Sequence, residues 1–167
     1  MAGTLSRTFA HLCTGTGAVH QRFDADAMTR IRNAIAAGEL GHAGEIRFAV
    51  EAALPLRALW HRKEARSRAL EVFANLRVWD TDANTGVLLY LLWADRAIEV
   101  VADRGIAALV PASAWESICA DVREGLRNTH PADAVVIGVE RIGELLRAAL
   151  PAQEHTPDEL PDDPVLL

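Results

Sequence analysis

Seven consecutive residues, Val87-Leu88-Leu89-Tyr90-Leu91-Leu92-Trp93, are apolar without exception. The run is too short to span a bilayer, and a surface helix would interrupt it with polar positions. With Gly86 before it and Asp95 and Arg96 soon after, it reads as a β-strand buried on both faces. Such a strand sits in the middle of a sheet and needs a covering layer on each side.

The neighbouring segments supply the sheet. Ile98–Ala102 forms a second short strand, and a two-residue turn at Asp95 and Arg96 makes the pair an antiparallel hairpin. That turn pairs Ala94 with Ala97 and, counting outward, sets Asp103 opposite Leu88. Glu45–Glu51 alternates strictly, with Ile46, Phe48 and Val50 on one face and Glu45, Arg47 and Glu51 on a wet or polar one, until Pro55 stops it. Between the two, His61–Leu76 carries a helical stripe of Ala65, Ala69, Val72, Phe73 and Leu76, with Glu64 and Arg68 placed to pair on the solvent side. Strand, helix and strand imply a parallel crossover unit.

Helices account for the rest. Asp24 and Asp26 cap a helix in which Met28, Ile31 and Ile35 recur, ending near Gly38. After Pro111, Ser113 and Glu116 make a capping-box pattern for a helix carrying Trp115, Ile118, Cys119, Val122 and Leu126. Pro131 opens a last helix with Val135, Val139, Ile142, Leu146 and Ala149 on its stripe, and Pro151 ends it. Residues 1–25 read as a short amphipathic helix (Leu5, Phe9, Leu12) and a connector through a plain Gly15-Thr16-Gly17 turn. Residues 151–167, rich in proline and acids, read as an extended strap or a loose end. The expected architecture is a three-layer α/β/α sandwich over residues 26–150, around a small mixed β-sheet of about four strands.

Composition closes off several functions. A net charge of −6, with arginines scattered among acids, lacks the basic stripe of a nucleic-acid binder. Without a membrane span or an apparent secretory leader, the expected location is cytoplasmic. Cys13 and Cys119 lack a C-x-x-C spacing and read as buried reduced thiols. His42 and His61 read as capping or surface residues, and Trp60, Trp79, Trp93 and Trp115 as packing residues.

One stretch carries chemistry. Asp80, Asp82 and Asn84 place hard oxygen ligands at alternate positions just before the central strand, the pattern that suits Ca²⁺. An EF-hand is excluded because Thr85 and Leu91 stand where glycine and a bidentate glutamate are required. An aspartyl phosphotransferase of the haloacid dehalogenase class is disfavoured, since Lys63, the chain's one lysine, precedes the motif. The hairpin returns Asp103 beside Asp82 and Asn84, so these carboxylates repel unless a cation or solvent intervenes. A simple Asx-type turn is the competing reading.

At these residues the chain resembles the TPM domain family. The features that match are Gly44–Glu51, the Ala69-Leu70-Glu71-Val72-Phe73 helix, the Asn84-x-Gly86-Val87-Leu88-Leu89 strand entry, the Asp95–Val101 hairpin and Trp115. Gly44-Glu45-Ile46-Arg47-Phe48-Ala49-Val50-Glu51 and Glu159-Leu160-Pro161-Asp162 are similar to phrases of its short bacterial branch without a membrane anchor. The resemblance implies an α/β/α fold and a divalent-ion site, for Ca²⁺ or Mg²⁺, in the acidic loops. It implies acid phosphatase activity in a plant lumenal relative, and roles for others in assembling or maintaining membrane complexes.

Two functional expectations follow. In one, a cation on Asp80, Asp82, Asn84 and Asp103 organises a non-enzymatic surface that docks a partner protein. In the other, the same cation serves a metal-dependent phosphatase acting on phosphate monoesters, with Arg104 steadying the anion. The absence of histidine from these loops favours the first.

Overall fold

The apolar run lies inside a mixed sheet whose strand order is β3-β2-β1-β4. The structure is a computed structural model and describes residues 2–60, 64–151 and 159–167. Its strands are β1 (Glu45–Glu51), β2 (Gly86–Leu92), β3 (Ala97–Ala102) and β4 (Val165–Leu166). Its helices are α1 (Ala2–Cys13), α2 (Thr16–Arg22), α3 (Ala25–Glu39), α4 (Leu56–Trp60), α5 (Ala65–Asn75), α6 (Arg104–Ala107), α7 (Ala112–Asn128) and α8 (Pro131–Ala149).

β1 and β2 are parallel, with α5 in the crossover, and β2 and β3 are antiparallel. Every residue of β2 is buried, as a strand with a helix layer on each face must be. On one face Ile46, Phe48, Val87, Leu89 and Val100 share a core with Ile31, Val122 and Val139 of α3, α7 and α8. On the other, Ala49, Leu88, Tyr90 and Val101 pack with Ala69 and Val72 of α5. The sandwich is thus a three-layer α/β/α one.

Local signals fix several helix ends. Asp24 caps α3 by accepting from the Ala27 amide at 2.9 Å, and Asp26 sits in the first turn, where a negative charge suits the helix dipole. Pro131 opens α8, with His130 as its cap.

Several expectations need correction. The amino-terminal segment is two helices, not one and a connector, and Val19 and Phe23 enter the core, where Phe23 meets the Trp93 ring edge-on at 5.9 Å. β1 ends at Glu51, four residues before Pro55, and α4 begins directly after that proline; residues 61–63, and His61 with them, lie outside the described residues. α7 starts at Ala112 with Pro111 as its N-cap, which makes no side-chain cap bond, so Ser113 lies inside the helix rather than at its cap. Cys13 is exposed and Cys119 half-buried, both as free thiols, whereas His42 is buried and accepts from the Gly44 amide.

The polar face of β1 is not wet, since Glu45, Arg47 and Glu51 are all buried. Arg68 does not pair with Glu64. Its guanidinium grips Glu51, with Nε 2.8 Å and Nη2 3.0 Å from the two carboxylate oxygens, and also reaches Glu71. The Tyr90 hydroxyl donates to the same Glu51 carboxylate at 2.5 Å. A buried carboxylate is tolerated when charge-assisted bonds of this kind satisfy it.

The carboxyl-terminal segment is a strap. β4 adds in parallel beside Ala49 and Val50, Leu160 is buried, and the Leu160 amide donates to Glu45 at 3.3 Å. Glu39, at the end of α3, accepts from the Ile46 amide at 2.8 Å and shares a hydrogen bond with Asp162 of the strap. Burial, with Asp162 and Glu45 adding like charge, pushes the Glu39 carboxyl up to about 9. Its protonated form stabilises the fold, fully below the ordinary value near 4.5, and that stability is lost as pH rises towards about 9. Glu39→Gln, which keeps the acceptor and cannot ionise, is expected to flatten this decline. The gain at pH 9 is set at about 1–2 kcal/mol because water screens the partly exposed group. Urea melts of both proteins across that range check it; parallel pH profiles would contradict it.

Candidate functional site

The hairpin is built differently from the expected one. Leu92 faces Ala97, so the turn holds four residues, Trp93 to Arg96, and Arg96 takes a left-handed conformation at φ 52°. Trp93 belongs to the core, and Arg96 lies over its ring, 3.7 Å from the centroid. The register is therefore two residues off the expected one: Val101 faces Leu88, and the Asp103 amide bonds the Gly86 carbonyl at 2.8 Å. A shift of two preserves which face each side chain takes, so Asp103 still emerges at the end of the sheet where the acidic loop enters.

The loop itself is held from within. The Thr81 hydroxyl accepts from the Thr85 amide at 2.9 Å, the Asn84 amide reaches the Thr81 carbonyl at 3.1 Å, and Asn84 is left-handed at φ 57°. The loop is thus closed by a threonine hydroxyl rather than by the side chain of an aspartate or asparagine, as the Asx-type reading would have it, and asparagine tolerates the left-handed conformation. The Gly105 amide bonds the Asn84 carbonyl at 3.1 Å, and a Cβ on Gly105 would lie 2.6 Å from the carbonyl oxygens of Ala83 and Asn84. Only glycine lets the two turns approach so closely.

Of the predicted site residues, Asn84, Asp103 and Arg104 come together. Arg104 Nε donates to Asn84 Oδ1 at 2.9 Å, and Asp103 Oδ1 caps the Arg104 amide at 2.7 Å. Asp103 Oδ2 is buried without a hydrogen-bond partner. Asp80 and Asp82 are exposed on the same loop. Among the described residues no three His, Cys, Asp or Glu side chains form a ready-made metal cluster. At the junction Asp103 Oδ2 is without a partner, whereas Asn84 Oδ1 is held by Arg104 and the Asn84 carbonyl by the Gly105 amide. These are hard oxygens of the kind Ca²⁺ and Mg²⁺ prefer, but a cation would reach Asn84 Oδ1 only with Arg104 displaced, since the guanidinium charge opposes it.

One participant went unassigned in the sequence. Glu159 of the strap accepts from the Asp82 amide, at 3.1 and 3.3 Å to its two oxygens. The separation of 77 residues leaves no local pattern that would have found it.

A three-layer sandwich with an oxygen-lined loop pair at one end of its central strands defines the class of domain. Within that class the chain belongs to the TPM domain family, whose profile matches residues 20–145. Among solved structures it is similar to the BA42 protein from the psychrophilic bacterium Bizionia argentinensis, determined by NMR. The identity is 26% over 85% of this chain and 93% of that one, with a TM-score of 0.75. No curated protein matched. Among the described residues no helix is long and apolar enough to cross a membrane.

Proposed function

We propose that this TPM domain is a non-enzymatic interaction module, in which Asp82, Asn84 and Asp103, with Asp80 at the rim, hold a divalent cation, Ca²⁺ or Mg²⁺. The observation that supports this most is Asp103 Oδ2, a buried carboxylate oxygen left without a partner at the junction of two turns. A buried acceptor in that position is costly unless something positive satisfies it. A cation there would tie the loop to the exit of β3 and neutralise a rim to which Glu159 also contributes. Such a rim, organised by an ion, suits the docking of a protein partner during assembly or maintenance of protein or membrane complexes. The free thiols Cys13 and Cys119 suit a reducing compartment, and we assign the chain to the cytosol.

A second reading, a metal-dependent acid phosphatase acting on phosphate monoesters, draws support from two features. Glu159 adds a carboxylate beside the loop, and Arg104 is exposed with guanidinium N–H groups to spare for an anion. Against it stands the lack of histidine among the loop's hydrogen-bond partners, which leaves proton transfer without its usual agent.

Thermal unfolding of the metal-stripped chain with and without millimolar Ca²⁺ or Mg²⁺ tests the shared premise. An ion that binds the native state at about 100 times its Kd adds about 2.7 kcal/mol. The midpoint should rise by several degrees in the wild type and stay fixed in Asp103→Ala. An unmoved wild-type midpoint would remove the ion from both readings. Turnover of p-nitrophenyl phosphate by the wild type, lost in Asp103→Ala, would select the phosphatase over the module.

A further inference from the structure

We propose that the groove between the open edge of β3 and helix α7 docks an extended, acidic segment of a partner protein. This site lies apart from the Asp82 loop, and the proposal does not require a cation there.

The hydrogen-bond register leaves β3 with an edge that is open at Ile98 and Ala102, while between them the Val100 amide donates to Cys119 and the Val100 carbonyl accepts from Arg66. Because the Asp103 amide bonds Gly86, the alternation of antiparallel pairing turns the amides and carbonyls of Ile98, Val100 and Ala102 away from β2. Beside that edge runs a cavity of about 430 Å³ with Ile98, Val100 and Trp115 on its walls. A second, of about 520 Å³, adjoins it at the hairpin end; the two share Arg123. On α7 the residues Trp115, Cys119, Arg123 and Arg127 follow at intervals of four and line the groove from the aromatic end to the basic one.

The charge distribution names the occupant. Arg96, Arg123 and Arg127 converge on the second cavity, and among the described residues none of the three makes an ion pair. What distinguishes these three is that they gather in one cavity, with the Glu99 carboxylate acting on Arg123 from the adjoining one. Asp95, the acid in that cavity, is already neutralised: Arg7 grips it at 2.7 and 3.0 Å and His11 reaches it at 2.9 Å. Stacking on Trp93 holds the Arg96 fork in place, which favours planar carboxylates. At the other end Glu116 is acidic, and Glu99 pairs with Arg66 at 3.7 Å, so excess positive charge is confined to the hairpin end. A segment of about five residues in β conformation matches the length of the edge. Its acids would lie on Arg96, Arg123 and Arg127, and an apolar side chain would enter the Trp115 pocket. Arg66 and Cys119, which now satisfy the Val100 carbonyl and amide, both give way to the incoming strand.

Selection of a random peptide-display library on the immobilised full-length chain tests this. Enriched sequences should combine clustered Asp and Glu with an apolar residue. A synthetic peptide of the enriched sequence should bind at least about tenfold more weakly to Arg123→Gln/Arg127→Gln, both surface changes that spare the fold. The same peptide should slow hydrogen exchange at the Ile98 and Ala102 amides. Failure to enrich any sequence, a neutral or basic consensus, or binding indifferent to the double variant would overturn the proposal. Two further results would also overturn it: displacement of the peptide by millimolar inorganic phosphate, which marks a small-anion pocket, and a wild-type dimer dissolved by the double variant, which makes a second copy the occupant.

Discussion

Gly86→Ala is expected to lower the melting temperature by about 10 °C or to prevent accumulation of folded protein. A Cβ at that position would fall 1.8 Å from the Val78 carbonyl oxygen and 2.9 Å from its carbon. Backbone cannot swing aside as a side chain can, and Val78 is itself fully buried, so the strain spreads into the core. About 3 kcal/mol of overpacking corresponds to a shift of that size in a domain of this length. Gly86 has no positive φ, so close approach, not backbone conformation, is what requires glycine. The change should also push Val78 and the loop behind it out of register with Asp103. Calorimetry of the purified variant checks the effect; a shift under about 2 °C would mean that the approach of Val78 to β2 is looser than described.

The second large effect is expected from Glu51→Ala. It leaves the Tyr90 hydroxyl, fully buried, and the Arg68 guanidinium without the carboxylate that both contact. Removing one partner of a buried charge-assisted network costs about 3–5 kcal/mol, a large part of the roughly 5–15 kcal/mol that holds a typical domain together. Glu51→Gln, which keeps an acceptor but loses the charge, should lie between the two. Tyr90→Phe removes one hydroxyl and should cost about 1 kcal/mol. The double variant Glu51→Ala/Tyr90→Phe should cost less than the sum, because a ring without its hydroxyl asks nothing of position 51. Denaturant melts decide it, and a Glu51→Ala cost below about 1 kcal/mol would show that water replaces the carboxylate.

What the sequence disclosed and what it hid follow from distance along the chain. Unbroken apolarity from Val87 to Trp93 requires two covering layers, and strict alternation around Ile46, Phe48 and Val50 requires a strand; both are local and both hold. The burial of Glu45, Arg47 and Glu51 is not local, because it depends on Arg68 and on a strap more than 100 residues away in sequence. The i,i+4 rule offered Glu64 as the partner of Arg68, but Glu51 could accept from two of its nitrogens in a drier place and won. The sequence pattern implies too short a hairpin turn because Trp93 continues the apolar run beyond the last paired residue, its ring held by Phe23. The meeting of Asn84, Asp103 and Arg104 survived that error, since a two-residue slip leaves faces and strand ends unchanged. Glu159 had no such protection, and its place at the loop emerges only once the strap is laid beside β1.

Calcium titrated into the metal-stripped chain, followed by its amide resonances, bears most directly on the cation between the two turns. Saturable shifts confined to Asp82–Gly86 and Asp103–Gly105, and abolished by Asp103→Asn, are the predicted result. Spectra unchanged up to several millimolar Ca²⁺ and Mg²⁺, or shifts that Asp103→Asn leaves intact, would contradict it.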